Sequence, residues 1–171
     1  MKKKIVAVLI IALVCSVSAF AAGSKKATDR HGKDFGLGLN LGYPGVGLAF
    51  RYHDDNVRVL GAAAFSYMGS AIAIDATGEY IFATVENDKH ESIIDFSAGL
   101  GLGVDIPFSG SPSLAFEAGL IANYDFEKVP LSIFARILYR PTLHFGDPLT
   151  MEWFGLAGSL GITYNFNLNK K

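Results

Sequence analysis

From Phe154 to Phe166 the sequence alternates without a break. Phe154, Leu156, Gly158, Leu160, Ile162, Tyr164 and Phe166 take one parity, and Gly155, Ala157, Ser159, Gly161, Thr163 and Asn165 the other. Successive side chains of an extended chain point to opposite faces, so this period predicts a strand with one apolar face and one small or polar face. The same period recurs upstream in Phe35 to Leu41, Val46 to Tyr52, Val57 to Tyr67, Ala71 to Thr84, Ile93 to Ile106, Leu114 to Phe126 and Leu131 to Tyr139. Turn-forming stretches separate them: Tyr43-Pro44-Gly45, His53 to Asn56, Met68 to Ser70, Glu86 to Glu91, Pro107 to Pro112 and Glu127 to Pro130, with Pro141 to Glu152 as the longest. Sequential strands with short connections predict an all-β, antiparallel, up-and-down fold. Closing eight of them into a β-barrel removes both sheet edges.

The chain begins differently. Lys2, Lys3 and Lys4 precede an apolar run from Ile5 to Val17 and the small-x-small site Ala19-Phe20-Ala21. That layout predicts an N-terminal signal peptide over residues 1–21, cut near Ala21. Polar, aperiodic residues 22–34 read as a flexible tail, residues 35–167 as the barrel and residues 168–171 as a C-terminal tail. Cys15 lies inside the apolar run, so the mature chain is expected to hold no disulfide and no reactive thiol. Removing Lys2, Lys3 and Lys4 from the 15 basic side chains leaves 12 against 16 acidic ones, a net charge of −4. That balance argues against nucleic acid as a partner. Beyond the expected signal peptide no apolar run reaches the ~18 residues of a membrane helix. Membrane strands need apolar side chains only at alternate positions.

Alternation alone does not say which face points outward, because a soluble lipocalin-like binder would place its apolar face inside. Three features favour an apolar exterior. No lysine falls within any of the eight alternating segments, although a water-facing sheet carries lysine freely. The other face is crowded with Gly and Ala, which suits a narrow lumen. Aromatics gather at the segment ends: Phe35, Tyr52, Phe82, Phe96, Tyr124, Tyr164 and Phe166 towards one rim, and Tyr43, Tyr67, Phe116, Tyr139 and Trp153 towards the other. Two such girdles are expected of a wall that faces lipid. The expected fold is therefore an eight-stranded antiparallel transmembrane β-barrel, read as a monomer.

The inward parity then carries Arg51, Arg58, Arg136 and Arg140 together with Asp75, Glu79, Asp95, Asp105, Glu117 and Asp125. Buried charges are tolerable when paired and hydrogen-bonded, so these ten predict an interior ion-pair network that plugs the lumen. A narrow ion path is the functional alternative. His31, His53, His90 and His144 lack metal-ligand spacing, so no metal or other cofactor is expected. His144 and Asp147 in the longest connection are the one candidate rim site for a lipid-modifying or proteolytic barrel, although the chain reads as no enzyme. Gly99-x-Gly101-x-Gly103 has no helix after it and fits lumen glycines better than a nucleotide loop.

The C-terminal run Ser159-x-Gly161-x-x-Tyr164-x-Phe166 resembles the signal by which outer-membrane barrels are recognised for assembly. The mature chain resembles the small barrels of the OmpA-transmembrane-domain and OmpX type in strand number, length and this signal. Tyr124-Asp125-Phe126, Val129 to Phe134, and Gly158-x-x-Gly161-x-x-Tyr164-x-Phe166 are similar to a family of small bacterial outer-membrane barrels. That family often has a carboxylate where this chain has Arg136, which implies a different interior pairing here. The resemblance implies an outer-membrane location, membrane lipid as surroundings, and the barrel-assembly machinery as a partner of the last strand. It brings no catalytic residues.

Overall fold

The computed structural model describes residues 33–54, 57–66, 70–86, 92–126 and 128–168. The expected signal peptide, residues 22–32 of the expected tail, the Met68-Gly69 turn and residues 169–171 lie outside the described residues. Among those described, the alternating segments form β1 (Asp34–Tyr43), β2 (Gly45–Asp54), β3 (Val57–Ser66), β4 (Ala71–Glu86), β5 (Ser92–Pro107), β6 (Ser113–Asp125) and β7 (Leu131–Tyr139). A small hairpin, β8 (Thr142–His144) and β9 (Thr150–Glu152), precedes the last strand, β10 (Leu156–Asn167). β1 to β6 each pair with the next strand antiparallel, and β7 pairs with β10. β10 then pairs with β1 over ten positions, from Asp34 opposite Asn167 to Tyr43 opposite Gly158. The sheet is a closed antiparallel barrel of eight staves.

Its faces are inverted relative to a globular protein. Outward residues are large and apolar: Leu48 is 64% exposed, Leu39 62% and Ile137 72%. Inward residues are polar, with Arg58 and Glu79 both 0% exposed. Sequence parity explains the inversion, because one register step would exchange the two faces of a strand. Within the lumen a smaller apolar cluster, Ala49, Leu60, Ile121, Phe134, Leu138 and Ala157, packs among the charges. This arrangement is the reverse of a lipocalin-like container.

Phe134 fits inside because of a glycine on the neighbouring strand. Gly161 is its direct partner across β7 and β10. A Cβ at Gly161 would run into the Phe134 ring and come within 2.6 Å of the Leu39 carbonyl oxygen. Gly161→Val is therefore expected to lower stability by about 1–3 kcal/mol through overpacking. Urea midpoints of heat-resistant gel migration would measure this, and a variant with an unchanged midpoint would show that the ring has room to move.

Two departures from simple alternation follow from bulges. Between β4 and β5 the register steps from Ile81 opposite Ser97 to Ala83 opposite Phe96, so one residue is extra on β4. A bulge of this kind resets parity beyond it. Unbroken alternation would leave Thr84 on the apolar side. The bulge instead brings its hydroxyl to 3.0 Å from Asp95 Oδ1, to which it donates.

The second departure lies in the stretch expected to be the longest loop, Pro141 to Glu152. Much of it is strand. β8 continues β7 in one register along β6: Ala118 faces Tyr139, Ala115 faces Thr142 and Ser113 faces His144. Pro141 interrupts the ladder because it has no N–H, but its carbonyl accepts the Phe116 N–H at 3.0 Å. Without β8, the first residues of β6 would present an unpaired edge on that side. On the return, Arg140 N–H donates to the Gly155 carbonyl, whereas Thr142 faces Glu152. One extra residue is thus accommodated at Trp153 and Phe154, and β10 starts at Leu156 rather than at Phe154 as the alternation suggested. The β7–β10 hairpin extends past the β1–β2 turn, so the wall is taller on that side.

Candidate functional site

The lumen is built from the inward positions of every stave. Arg136 on β7 donates through Nη1 and Nη2 to the two oxygens of Asp75 on β4, at 2.6 and 3.0 Å. Its Nε donates to Ser159 Oγ on β10 at 2.7 Å. Each guanidinium nitrogen of Arg136 has a partner, and the fork-to-fork contact is the stronger kind of ion pair. Arg140, just beyond β7, is held similarly. Nη1 and Nη2 reach Asp105 at 3.1 and 2.8 Å, and Nε reaches Glu117 Oε1 at 3.1 Å. Thr77 donates to the other Glu117 oxygen at 3.3 Å.

Arg51 and Arg58 lie towards the rim where the chain enters and leaves. Arg51 Nη1 donates to Asp125 Oδ1 at 2.7 Å, and its Nη2 lies 3.5 Å from Asp34 Oδ2. Ser132 also donates to Asp125, and Asn165 donates to Ser132. Arg58 Nη2 donates to Asp95 Oδ2 at 2.7 Å, while its Nη1 is 3.6 Å from Glu79 Oε2. Ser97 donates to the same Glu79 oxygen at 2.6 Å. This second cluster is less complete: Arg58 Nε and Nη1, Glu79 Oε1 and both amide atoms of Asn123 are buried without a hydrogen-bond partner.

All ten candidate charges therefore sit in the lumen wall, and each arginine takes its own carboxylates instead of sharing one web. Two further residues belong there. Asp34, read from sequence as tail, opens β1 and supplies a carboxylate to Arg51. His53, read as turn, is 2% exposed, with Nδ1 at 3.7 Å from Asp34 Oδ2. Both were legible by parity, since Asp34 continues Gly36, Gly38 and Asn40, and His53 continues Ala49 and Arg51. Seven carboxylates thus stand within ion-pair reach of four arginines among the described residues, an excess of three formal negative charges.

Elsewhere the structure separates the other candidates. His144 Nε2 lies 3.4 Å from Glu152 Oε2 across the projecting hairpin, so its partner is Glu152, while Asp147 lies in the hairpin's tip. Among the described residues no group of three or more His, Cys, Asp or Glu could hold a metal ion. The four positions of the expected C-terminal signal divide by parity. Ser159 faces inward to Arg136, and Gly161 leaves space for Phe134. Tyr164 and Phe166 face outward, edge to face, with ring centroids 5.1 Å apart. Compared with known protein families, curated proteins and solved structures, the chain matches none.

Proposed function

We propose that this chain is an integral outer-membrane β-barrel with a structural or surface-interaction role and a lumen closed by ion pairs. The observation that carries the reading is the inversion of its faces. A continuous exterior of Leu, Ile, Val and aromatic side chains surrounds an interior of paired charges. Water would penalise that exterior, whereas hydrocarbon accepts it. Closure suits the same surroundings, because lipid offers no hydrogen bonds to an open edge. The role assigned is non-enzymatic. The partners assigned are lipid around the wall and, through Tyr164 and Phe166 on the last strand, the barrel-assembly machinery.

Two measurements test this. The chain should fractionate with the outer membrane and migrate anomalously on gels until boiled. Purified protein in planar bilayers should show no discrete conductance, since Arg136, Arg140 and the Phe134 cluster block the axis. A chain that stays soluble without detergent would overturn the location. The excess of lumen carboxylates and the incomplete Arg58 cluster favour a narrow cation path as the second reading. Discrete, cation-selective openings would establish that alternative.

A further inference from the structure

On the outer wall a groove of about 450 Å³ lies over β5, β6 and β7. Ala122 and Ala135 form its floor, with Phe82 and Phe96 at one end, and Leu120 and Ile137, direct partners on the same outward face, stand between this level and that of Ala118. Tyr139 closes the other end, and its hydroxyl donates to the Trp153 carbonyl oxygen, which fixes the ring. The register creates the hollow. Ala122 and Ala135 are direct partners, so two adjacent staves are small at one level, flanked by Phe96 and Leu160.

The shape selects the occupant. Leu120 and Ile137 border the hollow and are 62% and 72% exposed. A second barrel is convex and would rest on these ridges, leaving the alanine floor uncovered. A flexible chain one methylene wide reaches that floor. Charge selects the class of lipid. The turn that joins β6 to β7, the two strands carrying the floor, presents the exposed Lys128 at the rim. An ammonium there attracts a phosphate and leaves its attached chain running along the wall.

We propose that this groove seats an acyl chain of an anionic phospholipid whose phosphate lies at Lys128. The proposal rests on the lipid-facing reading above. Its test is native mass spectrometry of the full chain in mild detergent, with phosphatidylglycerol or phosphatidylcholine added. One phosphatidylglycerol should be retained, with about fivefold preference over phosphatidylcholine from the single lysine. Ala135→Phe fills the floor and should abolish retention of both lipids. Lys128→Glu should remove the preference while phosphatidylcholine is still retained.

Undiminished retention by Ala135→Phe would overturn the proposal. So would a wild-type dimer that Ala135→Phe dissolves, because the occupant would then be a second copy. Heat-modifiable migration checks that each variant has folded, and Ala122→Phe serves if Ala135→Phe has not. A variant that remains embedded in membranes yet keeps its lipid overturns the groove alone. A wild-type chain soluble without detergent overturns the parent reading.

Discussion

Replacing Arg136 by alanine is expected to destabilise the folded barrel by about 3–5 kcal/mol. The loss does not come from removing an attraction alone. Asp75 is 2% exposed and takes two hydrogen bonds from this guanidinium, so its carboxylate would be left buried and uncompensated. Ser159 would lose its donor as well. The double variant Arg136→Ala/Asp75→Ala should recover part of the loss, because neither charge remains to be stranded. Arg58→Ala should have a smaller effect, since two of its guanidinium nitrogens already lack hydrogen-bond partners. Urea titration of heat-resistant migration gives all three values. If Arg136→Ala left both the urea midpoint and bilayer conductance unchanged, the lumen pairs would have no structural weight.

Leu39→Arg carries the second large expectation, and it separates the two environments open to such a cylinder. Leu39 is 62% exposed on β1, midway between rims, opposite Ile162 and Leu48. An arginine there should lower stability by about 2–4 kcal/mol if the position meets the centre of a bilayer. In water the same substitution at an exposed site away from any packing should shift stability by no more than about 0.5 kcal/mol. Refolding into lipid vesicles against a urea series measures the difference. Asn40, the next residue, is 1% exposed and faces the lumen, so Asn40→Arg would report packing inside and serves as a contrast.

Parity carried most of the sequence reading. Once Phe154 to Phe166 is taken as strand, Ser159, Gly161 and Thr163 must share a face, and the same rule places Arg51, Glu79 and Glu117 on it. What parity does not contain is the stagger between strands. Whether Arg136 meets Asp75 or Glu117 depends on how far each stave slides along the next, which is settled by closure of the whole ring. Bulges were equally hidden. Nothing in Ile81-Phe82-Ala83 announces an extra residue, and Thr84 changes sides because of it. The sequence reads as a loop ending at Glu152 and a strand beginning at Phe154, but the pairing of Thr142 with Glu152 makes Trp153-Phe154 a bulge within a longer hairpin. Asp34 and His53 are hidden for a different reason: polar residues at segment ends read as tail and turn, although their parity points inward.

The join between β1 and β10 has a further consequence. In an open sheet an outer strand can slip one step and injure only one ladder. Here every stave has two neighbours, and a slip of one step would send Leu37 and Leu39 into the centre while breaking two sets of backbone bonds at once. Partial errors have nowhere to accumulate, so melting should be all-or-none.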